Sequence, residues 1–441
     1  MTQSTALTRR IGVVRSWGAG FIGAMVLLAA SATAQAEDLK FDFSSEPAKP
    51  GVIKVAPDTA YSEEQKYGFI KLPDELPGGP LNFAVNVDEG NYDVTIRFGS
   101  AAEATSTTIK AEARRLLLEK VETRKSKFET RSFTVNVRRP PIAGGGVTMI
   151  NDREKGPPVS PDWDDLLTLE FNGSKPGVVS VEIKPAKDAL TVFLAGDSTV
   201  TDQIHEPYTG WGQMLPRFFK PGVAVSNHAE SGLALTSFER QKRLDKLLSM
   251  VKEGDYFFIQ FGHNDQKDKR EGAGPFTTYK DNLKKFVEAG RAKGANVVLV
   301  TPMERRRWKN DEPQSTLSDY AEAVRQVGTE LKVPVIDLNA MSLKFYAALG
   351  EKASTRAFVF YKEGSLPGLA KTLSDNTHHN AYGGYELARC VVEGIKAEVP
   401  ALAKFLAPDV GTFDPSKPDS PEKFDVLPSA YTPRSEKPAG S

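Results

Sequence analysis

Apolar positions in the first half of the chain recur every second residue. Phe83, Val85 and Val87 alternate with polar neighbours, and after Asp88-Glu89-Gly90-Asn91 the alternation resumes at Tyr92, Val94, Ile96 and Phe98. Two such runs around a turn-forming tetrad predict a hairpin. The period of two returns at Phe133, Val135 and Val137, at Leu167, Leu169 and Phe171, and at Val179, Val181 and Ile183. Strands with one apolar face need a second sheet to cover it, so residues 37–187 are predicted to form an all-β sandwich. Arg114 to Lys120 is too short an apolar run to separate strand from helix.

From Thr191 the pattern changes. Short apolar runs stand at Val192–Ala195, Val223–Val225, Tyr256–Phe261, Val297–Val300 and Val335–Ile336. Helix-like stretches lie between or after them, at Trp211–Phe219, Phe238–Val251, Tyr279–Lys293, Leu317–Lys332 and Ala381–Ile395. Strands alternating with helices predict a parallel sheet covered on both faces over residues 188–406. Ligands of such sheets bind beyond the carboxyl ends of the strands. Ser198, Gly232, Asn264 and Pro302 each stand just past a predicted strand end. Residues 407–441 are rich in Pro, Ser, Asp and Lys and read as an extended or poorly ordered tail, for which wrapping on the surface is one arrangement.

Residues 1–36 read as an export signal. Arg9, Arg10 and Arg15 give a basic start, Phe21 to Ala30 is mostly apolar, and Ala34-Gln35-Ala36 is a small-x-small cleavage site. The apolar run is too short to span a membrane comfortably. A periplasmic or secreted protein is therefore expected. The full chain has 57 basic and 57 acidic residues; cleavage removes three arginines and no acids, leaving 54 against 57, a net charge of −3. That balance gives no drive toward nucleic acid or anionic membrane. Cys390 is the sole cysteine, so no intrachain disulfide forms, and its apolar helical setting reads as a buried small hydrophobe. Oligomeric state is not legible.

The chemistry-bearing residues are sparse. The apolar run Val192–Ala195 ends in Gly196-Asp197-Ser198, and Asp375-Asn376-Thr377-His378 stands far downstream. A serine hydroxyl needs an adjacent base, and the i, i+3 spacing lets Asp375 orient His378. Ser198 is thus the candidate nucleophile, His378 the base and Asp375 its partner; His379 is the alternative base. A helix beginning at Thr199 to Gln203 would turn its positive end to the site. His378 reads as a loop residue. Gly232 permits close backbone approach, and the Asn264 amide can donate, so Ser198, Gly232 and Asn264 are candidate oxyanion donors. His263 reads as structural. Each motif alone reads as an ordinary turn; their order past successive strand ends is what points to acyl transfer. Asp202, His205 and Glu206 read as loop polarity rather than a metal site, and Asp162, Asp164 and Asp165 as a turn rather than a calcium site. No metal and no cofactor are expected.

This constellation resembles the SGNH (GDSL-type) hydrolases, whose four blocks supply Ser, Gly, Asn and His. Gly210-Trp211-Gly212-Gln213, Ile259 to Asp265 and Asp375-x-Thr377-His378 look most like the rhamnogalacturonan acetylesterase branch. Upstream, Phe41-Asp42-Phe43 and Asp164 to Gly173 are similar to a galactose-binding-like β-sandwich. The resemblance implies a three-layer, flavodoxin-like α/β domain and the removal of O-acetyl groups from pectic polysaccharide. Its galacturonate-containing substrate would suit a cation, for which Arg306 is the candidate, with Trp308 or Trp211 against a sugar face. The alternatives are an acetylxylan esterase or broad short-chain esterase or lipase on the same residues, and an inactive glycan-binding protein.

Overall fold

Ten strands build the first part of the fold: β1 (Leu39–Asp42), β2 (Ile53–Lys54), β3 (Tyr67–Ile70), β4 (Leu81–Asn86), β5 (Gly90–Gly99), β6 (Thr105–Ala111), β7 (Arg115–Thr123), β8 (Phe128–Val137), β9 (Leu166–Lys175) and β10 (Val178–Pro185). The computed structural model describes residues 38–47, 49–72, 78–155, 160–429, 433–434 and 436–439; the export segment expected from the sequence lies outside them. The strands form two five-stranded sheets, ordered β2-β1-β10-β5-β8 and β3-β4-β9-β6-β7. Phe41, Phe83, Val94, Ile96, Phe133, Leu169, Val181 and Ile183 fill the space between them. The stretch Arg114 to Lys120, ambiguous by pattern, is almost wholly strand β7.

One expectation fails here. The alternating runs around Asp88–Asn91 are not a hairpin, because β4 pairs with β3 and β9 while β5 pairs with β8 and β10. The connection instead crosses between sheets. The backbone N–H of Val87 donates to Asp165 O, and the Glu89 carboxylate is taken by the Arg139 N–H and by Lys246 Nζ at 2.6 Å. Alternation reports only that one face is buried, and both strands satisfy it by facing the same core from opposite sheets.

The second layer set follows with β11 (Leu190–Gly196), β12 (Val223–Asn227), β13 (Tyr256–Gln260), β14 (Asn296–Val300), a short hairpin of β15 (Trp308–Lys309) and β16 (Glu312–Pro313), β17 (Val335–Ile336), β18 (Phe358–Tyr361) and β19 (Leu373–His379). The helices are α1 (Trp211–Met214), α2 (Leu235–Arg240), α3 (Arg243–Met250), α4 (Lys280–Ala292), α5 (Ser318–Leu331), α6 (Leu338–Ser354), α7 (Ala381–Glu398) and α8 (Pro400–Ala403). The sheet runs β12-β11-β13-β14-β17, all parallel. Central β13 is buried at every position: Tyr256 and Phe258 face the core shared with α7, Phe257 and Ile259 the core shared with α4. The fold is thus an α/β parallel-sheet unit joined to an antiparallel β-sandwich.

The helix expected over Phe238–Val251 divides at Lys242, whose φ of 57° is left-handed. The break lets Arg243 point inward to Glu154 at 2.5 Å, while Gln241 O accepts from Met149 N–H. The tail runs extended, with Phe413 and Val426 buried and Lys110 Nζ donating to Leu427 O and Ser429 Oγ. Among the described residues no helix is long and apolar enough to cross a membrane. Cys390 is buried within α7.

Candidate active site

The carboxyl ends of β11, β12 and β13 lie side by side, which brings three loops to one rim. β11 must leave its sheet tightly: a Cβ on Gly196 would stand 2.5 Å from Val200 Cγ2, so only glycine fits. Asp197 then accepts Thr199 N–H and Thr199 Oγ1 in a local turn. No helix starts here, contrary to the sequence reading. Thr201 N–H does reach back to Asp197 O, but the turn stops there, since Thr201 Oγ1 donates to Ala229 O and the Gln203 side chain folds back to Ser198 O at 2.8 Å.

Ser198 Oγ lies 2.8 Å from His378 Nε2, and His378 Nδ1 lies 2.9 Å from Asp375 Oδ2. Asp375 Oδ1 also accepts the backbone N–H groups of Thr377 and His378. His378 lies within a strand rather than a loop, at the irregular stretch of β19 between Asp375 and His379, both of which pair with β18. The neighbouring residue is thereby turned away. His379 Nε2 sits 2.9 Å from Tyr346 Oη, and its ring packs on Phe358. All these side chains are buried, Ser198 to 3% exposure and His378 to 2%.

Burial by itself would raise the Asp375 carboxyl. The His378 hydrogen bond and charge, with the two backbone donors, outweigh it and bring the group down to about 2. Burial pushes His379 down to about 3, so its imidazole is neutral in the site's surroundings. Glu230, buried beside Glu154, is pushed up to about 8. His263, buried, stands with Nδ1 3.5 Å from Asp197 Oδ2.

Gly232 takes φ +85° in the turn after β12, and a Cβ there would meet Ala439 of the tail at 3.2 Å. The Asn264 amide donates to Leu233 O at 3.0 Å, tying its loop to that of Gly232. An amide nitrogen has two protons, so one is left for a ligand. Among the described residues, neither Ser198 N–H nor Gly232 N–H has a backbone acceptor. A cavity of about 240 Å³ has Tyr208, His205, Ser231, Arg153 and tail residue Arg434 in its wall, and Gly232 lines another of about 590 Å³ that shares Ser231 with it.

Two expectations about sugar contacts are corrected. Trp211 is core, 1% exposed, its Nε1 donating to Gln260 Oε1, which leaves no face for a sugar. Arg306 is committed to Ser354 Oγ, Asn376 Oδ1 and Glu351 O, and braces the β19 segment against α6. Trp308 is half-buried beyond β14. Asp202 and Glu206, weighed as metal ligands, are held by Arg115 and Arg114. Asp162 lies between Arg115 and Arg138. Tyr208, whose ring meets His378 edge-on at 5.9 Å between centroids, and the arginines of the sandwich stand outside the sequence motifs. Adjacent arginines opening an otherwise apolar strand, Arg114-Arg115-Leu116-Leu117-Leu118, were the available signal.

A parallel-sheet α/β fold with a hydrogen-bonded Ser-His-Asp line past its strand ends is the build of an acyl hydrolase. Residues 194–383 match the GDSL-like Lipase/Acylhydrolase family. Rhamnogalacturonan acetylesterase RhgT of Bacillus subtilis (strain 168) is 42% identical over 213 residues, covering 48% of this chain and 91% of that protein. The esterase YxiM of the same organism is 26% identical over 377 residues, 81% of this chain and 91% of its own length. The crystal structure of YxiM covers 82% of this chain and 98% of that one, at 23% identity and a TM-score of 0.44. The chain belongs to the GDSL-like lipase/acylhydrolase family and is an enzyme that hydrolyses carboxylic esters.

Proposed function

We propose that the protein is an exported serine acetylesterase that removes O-acetyl groups from a pectic polysaccharide of the rhamnogalacturonan type. The observation that carries the mechanism is the 2.8 Å contact between Ser198 Oγ and His378 Nε2, with Asp375 behind it. Substrate class is supported by the 42% identity to RhgT, a rhamnogalacturonan acetylesterase, over nearly all of that protein.

Ser198 Oγ attacks the acetyl carbonyl carbon while its proton passes to His378 Nε2. Nδ1–H stays on the ring and donates to the ionised Asp375, which stabilises the imidazolium. The carbonyl electrons move to oxygen, and the N–H groups of Ser198 and Gly232 with the free Asn264 amide proton hold the oxyanion. Collapse expels the sugar oxygen, which takes the proton from His378 Nε2. Water then gives a proton to His378, attacks the acetyl-enzyme and releases acetate, returning the proton to Ser198. Trp308 is the aromatic assigned to a sugar face. The sandwich is assigned a bracing role.

The test is acetate release from acetylated rhamnogalacturonan-rich pectin beside acetylated xylan, with Ser198→Ala as control. Release from pectin, lost in the variant, is expected. Release from xylan alone overturns the substrate and keeps the mechanism; an unchanged rate in Ser198→Ala overturns the mechanism.

A further inference from the structure

The loop between Ser198 and α1, residues 199–210, has no regular structure and yet carries or touches much of the site. Gln203 Nε2 donates to Ser198 O and to Ser231 Oγ, and Tyr208 sets its ring against His378. What fixes this loop comes from the other domain. The turn 112–114 between β6 and β7 and the first residue of β7, Arg115, are buried, and Arg114 and Arg115 reach from the sandwich to residues of the α/β unit.

Arg114 Nη1 donates to Gln203 O at 2.9 Å and to Tyr208 O at 3.1 Å, while Nη2 pairs with Glu206 at 2.5 Å. One guanidinium therefore grips the loop at residues 203, 206 and 208. Arg115 Nε pairs with Asp202 Oδ2 at 2.6 Å, and Asp202 Oδ1 accepts from Asn227 at the end of β12. Gln213 of α1 closes the bracket, donating to Ala113 O and to Gln203 O. Gln203 O thus takes donors from the sandwich and from α1, and its side chain holds the nucleophile's own carbonyl.

The turn that delivers these groups is bent. Glu112 and Arg114 both have positive φ, 53° and 61°, a conformation disfavoured for side chains with a Cβ. Such backbone persists where its surroundings fix it, and it clusters at functional sites. Here Glu112 N–H donates to Thr168 O, and the Glu112 carboxylate accepts Thr168 N–H. The tail adds a further hold, with Ser429 N–H donating to Glu206 and Arg434 N–H to Glu206 O.

We infer that Arg114, supported by Arg115, is a positioning residue for ester hydrolysis: the sandwich sets the backbone of Ser198 and the ring of Tyr208 through the loop it grips. The inference rests on Ser198 being the nucleophile. A nucleophile misplaced by about 1 Å loses roughly 10² in rate. The loss falls on the chemical step, since Arg114 is itself buried and lines none of the cavities.

The experiment uses the full chain, 4-nitrophenyl acetate as substrate and a fluorophosphonate ester as serine label. The extent of labelling at completion counts folded sites; the rate of labelling reads the geometry of Ser198. Arg114→Met is expected to lower kcat per labelled site roughly tenfold to 10², with KM changed by less than about threefold, and to slow labelling in parallel. Arg114→Lys, which keeps the charge and loses the fork, is expected to recover part of both. A purely structural brace predicts fewer labelled sites with normal kcat and labelling rate per site, and that result overturns the inference. Should Arg114→Met not fold, Arg114→Lys decides alone: a normal rate per site refutes positioning. Ser198→Ala is assayed alongside, because full activity and absent labelling there would remove the nucleophile assignment itself, whatever Arg114 does.

Discussion

Replacing Asp375 by Asn isolates the electrostatic part of the site. The shape is nearly unchanged, and Asn Oδ1 can still accept the N–H groups of Thr377 and His378. What is lost is the anion 2.9 Å from His378 Nδ1. The amide presents N–H to that nitrogen, so the ring carries its proton on Nε2 and faces Ser198 Oγ as a donor. A base in the wrong tautomer costs roughly 10⁴ in kcat, or about 5 kcal/mol of barrier. The same substitution has a signature in stability. Asp375 titrates at about 2 in the fold against an ordinary 3.8. Because the folded value is the lower one, the unfolded chain takes the proton first as pH falls. The stabilisation is whole above pH 3.8 and is lost as pH drops through 2, and it amounts to about 2 kcal/mol. Asp375→Asn is therefore expected to cost about 2 kcal/mol in urea unfolding at pH 7 and to converge with the parent near pH 2. The assays are kcat with 4-nitrophenyl acetate and urea midpoints across pH. A kcat within tenfold of the parent would refute the role given to Asp375, and a pH-independent stability difference would refute its ionisation.

Two further outcomes follow from the geometry. Asn264→Ala removes one proposed oxyanion donor and is expected to lower kcat by roughly 10² to 10³ with little change in KM, measured on a small acetyl ester. His379→Gln tests a different point: His379 titrates at about 3 in the fold and near 6.5 when unfolded, so the unfolded chain takes the proton first and stability falls as pH drops from 6.5 toward 3. The Gln variant is expected to show a shallower loss of stability over that window and an unchanged pH profile of kcat.

The site was legible where it depended on order along the chain. Ser198, Gly232 and Asn264 each follow a strand whose apolar run is plain, and adjacent parallel strands must bring their ends together. Of the two histidines, the irregularity in β19 turns His378 to Ser198 and Asp375 and leaves His379 against Tyr346. Trp211 misled because an aromatic beside a reactive turn looks the same whether its ring meets solvent or, as here, Gln260. Arg306 misled similarly, its acceptors lying on α6 and β19. Helix α6 went unread, although Asp337 caps it by accepting Ala340 N–H; its buried Leu338, Phe345 and Tyr346 are diluted by alanines and by Gly350. The grip of Arg114 on residues 203–208 depends on contacts 89 and 94 residues apart, which no local period encodes.

The tail and the sandwich together impose an order of assembly on the newly made chain. A domain emerging first can bury its own core first, and β1 to β10 are complete by Pro185. Arg114 then stands without Glu206, and Arg115 with Asp162 alone, until Asp202 and Glu206 are synthesised. His378 comes 180 residues after Ser198, and the last hydrogen bonds to Glu206, from Ser429 and Arg434, come later still. The loop beside the serine therefore receives its last restraints from residues made after every strand and helix of the α/β unit.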